Sequence, residues 1–247
     1  MKNILFIALA LFSISFSSCK DDADVDLEAS KVSYLPALTM SGESSIVLPC
    51  TTTSFTDPGL KATVNGAEIP VSVTITPTYF GSSTIDGPDF YTINYQAYNT
   101  DSIPGAAIRT VLIPPCNGDL VSDISGTYTS TVVRTTTSSG AQITYTDLEY
   151  VFIKNAGGNK YLLSDAIGGY YELGRALGTA YAAPGASLTA NSIPGNDFTF
   201  DSVAEVGGFG GAATLTSFTV DPASKTITFE SAWNVYTFKV VLTQTTI

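Results

Sequence analysis

The stretch Leu60-Lys61-Ala62-Thr63-Val64-Asn65-Gly66-Ala67-Glu68-Ile69-Pro70-Val71-Ser72-Val73 decides how the first half of the chain folds. Asn-Gly between two β-prone segments is the strongest short hairpin signal, because both central residues of a tight primed turn need positive φ. The spacing predicts paired strands over 60–64 and 69–73. Just upstream, Asp57-Pro58-Gly59 fits a type II turn, with Pro presetting φ and Gly supplying the positive φ that follows. Further strands are predicted over 71–75, 90–98 and 107–113. Tyr91, Ile93, Tyr95 and Ala97 fall on one face of their strand, and Val111 and Ile113 on one face of theirs, the period-two pattern of a half-buried strand. About seven short strands within residues 32–115 read as a β-sandwich of immunoglobulin type.

Pro114-Pro115-Cys116-Asn117-Gly118 marks a boundary, since two prolines stiffen the exit and Asn-Gly lets the chain turn. Residues 119–247 are again strand-rich, with predicted strands over 127–136, 142–154, 160–164, 197–203, 213–220, 226–233 and 235–243. Ile227, Phe229 and Ser231 alternate with Thr226, Thr228 and Glu230, and Tyr236, Phe238, Val240 and Leu242 point the same way. Roughly eight antiparallel strands with hairpin links suit an up-and-down β-barrel, similar to a lipocalin or calycin barrel, which closes its own edges. The expected fold class is all-β throughout.

Composition narrows the function. The chain has no histidine, which excludes Ser-His-Asp and Cys-His triads, histidine-ligated zinc and the usual neutral-pH general base. Its net charge is −11, from 11 basic and 22 acidic residues. Such a surface repels nucleic acid and anionic lipid heads, so no nucleic-acid partner is expected.

The N-terminus carries an address. Met1-Lys2-Asn3 precedes an apolar run over residues 4–16 that falls short of the ~20 residues a spanning helix needs, followed by small residues at a cleavage point. Phe16-Ser17-Ser18-Cys19 resembles the lipobox of bacterial lipoproteins, which implies a signal peptide over 1–18 and lipidation of Cys19 by a diacylglyceryl thioether plus an acyl chain on its amine. Several long chains anchor firmly where one would exchange. Lys20-Asp21-Asp22 resembles the export signal of Bacteroidetes lipoproteins that reach the outer face of the outer membrane. Residues 19–31, acidic and aperiodic, read as a flexible tether. The remaining cysteines, Cys50 and Cys116, are either a disulfide closing a loop of about 66 residues or two buried thiols, and an oxidising compartment favours the bond.

Ser54-Phe55-Thr56-Asp57-Pro58-Gly59, the run Tyr91-Thr92-Ile93-Asn94-Tyr95-Gln96-Ala97-Tyr98-Asn99, and Arg109-Thr110-Val111 are together similar to bacterial Ig-like domains of surface proteins. That resemblance implies a parallel pairing of an early edge strand with the last strand, which would set Cys50 beside Cys116. It also implies a spacer module, although Tyr79-Phe80-Gly81 and the loop 99–105 have the chemistry to touch a partner. Anchor, Ig-like domain and β-rich C-terminal domain in this order look like a Bacteroidetes surface lipoprotein family of unknown function.

Ser164 to Gly185 is where the strand rhythm stops. The passage holds Tyr170, Tyr171, Arg175 and Tyr181 among five glycines, with a short helix expected over 171–180. A long connection at a barrel end is where ligands are met. With Trp233, the lone tryptophan, these residues form the candidate ligand-binding set, since aromatic faces stack on the apolar face of sugar rings. The expected role is non-catalytic glycan binding in polysaccharide capture. The alternatives are a carrier whose barrel encloses an apolar ligand against Tyr236, Phe238 and Val240, and a structural partner in an outer-membrane transport complex. No enzyme activity, cofactor or metal is expected. Candidate carboxylates for acid–base work include Glu149, Asp165, Glu172 and Glu230, and none lies in a motif. Gly207-Gly208-Phe209-Gly210-Gly211 lacks the lysine and helix of a phosphate loop and reads as a flexible loop. Asp101-Ser102-Ile103 and Asp201-Ser202-Val203 resemble O-glycosylation tripeptides.

Overall fold

The computed structural model describes residues 32–247. Cys19, the lipobox, the tether and the export signal lie outside them. Seven strands make up the first half: β1 Ala37–Met40, β2 Ser45–Val47, β3 Leu60–Val64, β4 Ala67–Ile69, β5 Ser72–Pro77, β6 Asp89–Tyr98 and β7 Pro104–Ile113. They form two sheets, β1-β3-β4 and β2-β7-β6-β5. The Asn65-Gly66 turn does join paired strands, with Val64 opposite Ala67 and positive φ at both turn residues. The second strand is shorter than expected. Pro70 has no N–H to offer a ladder, so β4 ends at Ile69 and β5 crosses to the other sheet, where it pairs with β6.

Tyr91, Ile93 and Tyr95 on β6 and Val111 and Ile113 on β7 are at most 1% exposed and form the sandwich core. β2 runs parallel to β7, Ile46 opposite Val111, and Cys50 and Cys116 are joined beyond the ends of the two strands. The residues that carry the Ig-like resemblance meet in one network. The fully buried Arg109 forms an ion pair with Asp57, donates from Nη1 to the Tyr95 hydroxyl (3.0 Å), and reaches the carbonyls of Glu43 and Ser41. The Tyr95 hydroxyl donates to Asp57 at 2.8 Å. A buried guanidinium persists only when its donors are matched in this way.

The second half comprises β8 Gly126–Thr136, β9 Gln142–Gly157, β10 Lys160–Leu163, β11 Ser187–Ser192, β12 Asp197–Ser202, β13 Ala204–Glu205, β14 Ala212–Asp221, β15 Thr226–Trp233 and β16 Tyr236–Thr245. One antiparallel sheet runs β12-β11-β10-β9-β8-β16-β15-β14-β13. β11 was not read from the sequence, because Ser187-Leu188-Thr189-Ala190-Asn191-Ser192 looks like loop by composition. The sheet curls until β12 faces β14. There the Asn196 side chain bonds the Val220 backbone in both directions, at 2.6 and 3.3 Å, and Phe198 meets Phe218 edge-on at 4.9 Å.

The two halves are one compact unit over Pro36–Ile247. Asn117 locks their joint, donating to the Thr245 carbonyl at 2.6 Å and accepting from the Thr127 N–H at 2.9 Å, while Gln244 donates to the Gly118 carbonyl.

The disulfide spans 66 residues of sequence. Replacing both Cys50 and Cys116 by Ser is expected to cost about 4 kcal/mol by the loop-closure argument. Thermal denaturation of the double variant should show a Tm lowered by many degrees; an unchanged Tm would remove the crosslink from the account of stability.

Candidate ligand-binding site at the barrel mouth

Strand alternation builds the mouth. Tyr128, Ser130, Val132 and Arg134 face inward along β8, Ile227, Phe229, Ser231 and Trp233 along β15, and Leu242, Val240, Phe238 and Tyr236 along β16. In each row the last side chain, Arg134, Trp233 or Tyr236, is half-buried at the same end of the barrel.

The long connection after β10 enters the barrel and fills it. Ala166, Ile167 and Tyr170 are at most 1% exposed, and Tyr171 is 3% exposed. Tyr170 meets Phe238 at 5.5 Å and Tyr145 at 5.1 Å, and Ser130 Oγ donates to the Gly168 carbonyl at 2.9 Å. At Gly168, with φ +66°, a Cβ would stand 2.7 Å from Val240, so the backbone itself occupies the interior. The expected helix over 171–180 is absent. A single wide turn over Tyr170–Gly174 and a 3-10 turn over Thr179–Tyr181 take its place, because the glycines around them favour turns over a continuous helix.

One candidate role and one alternative are thereby ruled out. Tyr170 and Tyr171 are not an exposed platform; their rings are core, drawn inside by the apolar area that burial removes from water. Nor is the barrel a hollow carrier. Phe238 and Val240 have no accessible surface, as they would if they lined a cavity, and of the three expected lining residues only Tyr236 reaches solvent, at the rim.

What the mouth exposes instead is a row of aromatic rings. Tyr181 meets Phe209 at 5.0 Å, Phe209 meets Trp233 at 6.1 Å, and Trp233 stacks on Tyr236 at 6.0 Å and 26°. Tyr171 backs the row from below, 4.9 Å from Phe209 and 5.7 Å from Trp233. Trp233 Nε1 donates to the Gly210 carbonyl at 3.0 Å, which fixes the indole. The glycine-rich run is therefore a shaped turn on which the rings lie. At Gly208, with φ +71°, a Cβ would fall 2.5 Å from the Tyr181 ring. Of the candidate set, Tyr181 and Trp233 join this row, Arg175 stands exposed on the capping loop, and Tyr170 and Tyr171 support it from within. Phe209, Tyr236 and Arg134 are the additions.

A second cluster lies where the Ig-like half meets the barrel. Asp89 accepts from the backbone N–H groups of Tyr79, Phe80 and Gly81, which fixes the loop after β5. Tyr79 then packs on Phe152 at 5.9 Å, and its hydroxyl donates to Glu172 Oε1 at 2.6 Å. Phe80 lies under Lys154. Glu172 is 5% exposed; burial first, and the charge of Asp165 second, push its carboxyl up to about 7. Asp165 is 1% exposed and pushed up to about 6 by burial, against the N–H groups of Ile167, Gly169 and Ala183 that favour its ionised form. Its two oxygens accept from Ile167 at 2.8 Å and Ala183 at 3.2 Å, clasping both ends of the capping loop. The other two candidate carboxylates, Glu149 and Glu230, are exposed, and Glu230 sits opposite Lys239.

Fold and mouth define an all-β protein in which an Ig-like sandwich carries an up-and-down barrel with a filled interior and an aromatic rim. A family model described as "-like, C-terminal domain" matches residues 117–244, more than half of the chain. Among solved structures, the chain is similar to the lipoprotein BT2262 from Bacteroides thetaiotaomicron, with a TM-score of 0.56 and 24% identity over 85% of this chain and 100% of that one. The chain belongs to the family of this C-terminal domain. No curated protein sequence matches it.

Both buried carboxyls have folded-state values above their ordinary 4.5 and 3.8. The native state therefore keeps protons that the unfolded chain releases, and stability contributed below about pH 4 is lost as pH rises to about 7. For Glu172 this is on the order of 3 kcal/mol. Asp86, Asp119 and Asp221, held low by hydrogen bonds from hydroxyls and backbone N–H groups, act in the opposite sense only in more acidic solution. Tm should thus fall between pH 5 and pH 8, and Glu172→Gln should flatten that fall. A Tm that rises over this range would show the pair to be ionised without cost.

Proposed function

We propose that the protein is a lipid-anchored, non-catalytic lipoprotein of the outer cell surface that holds a glycan on the aromatic rim of its barrel, with the Ig-like half as spacer. The observation that carries this reading is the row Tyr181, Phe209, Trp233 and Tyr236, whose rings stand half-buried or exposed in successive steps of 5 to 6 Å. Rings held this way offer flat apolar faces at little cost in lost freedom, which is what the C–H face of a pyranose requires. Anchoring rests on the lipobox at Cys19 and on the signal-like residues before it. The reading as non-catalytic rests on chemistry: among the described residues the buried carboxyls Asp165 and Glu172 serve the capping loop and the domain junction and are shut from solvent.

Affinity electrophoresis of the full chain against a panel of plant, algal and host polysaccharides tests the reading. At least one should retard the protein. Trp233→Ala should then weaken retention about tenfold, equivalent to ~1.4 kcal/mol, with the Tm of the variant reporting its folding. Retention by none of the panel, or retention indifferent to Trp233, would sink the proposal. Release of the protein from the membrane fraction by Cys19→Ala tests the anchor separately.

A further inference from the structure

Of the chain's three arginines, Arg109 is consumed by its pair with Asp57 in the sandwich. The other two, Arg134 and Arg175, have no carboxylate within ion-pair reach among the described residues, in a chain where acidic side chains outnumber basic ones two to one. Arg134 is no loose surface cation. Its guanidinium lies between two rings, 4.4 Å from the centre of Tyr236 and 5.0 Å from that of Tyr170, and its Nε is buried without a hydrogen-bond partner. Arg175 follows directly on the wide turn, its N–H bonded to the Tyr170 carbonyl at 3.0 Å, and its side chain is exposed.

A planar guanidinium clamped between rings is already oriented, so a bidentate partner binds it without the entropy that a free side chain would lose. The partner that matches the fork is a carboxylate. Tyr236 is shared: one contact is with Arg134, and another is with Trp233 in the aromatic row. A ligand whose sugar ring lies on Trp233 and Tyr236 would bring a ring substituent to the guanidinium beside it. The net charge of −11 opposes such a ligand at long range, but at physiological ionic strength that repulsion is screened beyond about 8 Å.

We infer that the rim recognises a carboxylated glycan, a chain containing uronic-acid residues, with Arg134 as the carboxylate reader beside the Trp233–Tyr236 stack and Arg175, exposed on the capping loop, as a second. This rests on the glycan-binding reading above and names its ligand class. The test compares polygalacturonate with its fully methyl-esterified form, which keeps the sugar backbone and removes the charge, in affinity electrophoresis and calorimetry on the full chain. The free acid should bind about tenfold more tightly than the ester. Arg175→Gln, at an exposed position, and Arg134→Lys, which keeps the charge but loses the fork, should each erase most of that difference. Equal binding of acid and ester, indifference of the difference to Arg175→Gln, or a preference for a sulfated glycan would overturn the inference. Binding of a neutral glucan alone, lost in Trp233→Ala, would overturn it while leaving the glycan-binding reading standing; binding of no polysaccharide at all would end both.

Discussion

An up-and-down barrel of about eight strands encloses a space that has to be filled, by its own side chains or by a ligand. Here much of that filling is a loop. The connection between β10 and β11 dips inside, laying Ile167, Gly168 and Tyr170 against Phe238 and Val240, and its two ends are tied together by one buried carboxyl, Asp165. The rest of the C-terminal half follows from that insertion. With the interior occupied, the exposed rings of this half gather at the rim, and Tyr171 becomes the floor beneath Phe209 and Trp233.

The same loop also ties the barrel to the sandwich. Glu172, one residue past Tyr171, turns away from the mouth to accept the hydroxyl of Tyr79, a residue that Asp89 holds in place through the backbone of its loop. With Asn117 locking the other side of the joint, the Ig-like half is coupled to the element that shapes the rim. A spacer linked by a flexible hinge would leave the rim's orientation free; here the Tyr79–Glu172 bond crosses from sandwich to barrel, and Asn117 ties the linker to the barrel's last strand.

How much of this the sequence discloses depends on whether the signal is local. Period-two alternation is local, so the faces of β6, β15 and β16 and the Asn65-Gly66 turn could be read directly, and Pro70 marked, for a closer reading, where one strand had to become two. The bonded pair Cys50 and Cys116 followed from parity, compartment and the Ig-like resemblance. Burial inside a barrel is not local. Tyr170 and Tyr171 sit among glycines, which reads as an exposed loop, and only the inward path of the backbone at Gly168 makes them core. Phe209 was hidden the same way, by glycines that in fact let rings rest on the turn. Arg134 did leave a trace, since alternation from Tyr128 puts it on the inward face of β8, where an unpaired cation is unexpected.

The arrangement of charge separates the buried carboxyls from the exposed rings. The carboxyls that burial raises toward neutrality, Asp165 and Glu172, are turned into loop and junction, where each is already engaged by protein donors. Arg134, without an ion pair among the described residues, stands at the mouth beside aromatic faces that are braced from below and have little freedom left to lose. Proton transfer needs an acid or base open to substrate at the place where the substrate lies. This molecule keeps its buried carboxyls and its accessible rings apart, and what the rim presents is a rigid aromatic surface beside the clamped guanidinium of Arg134.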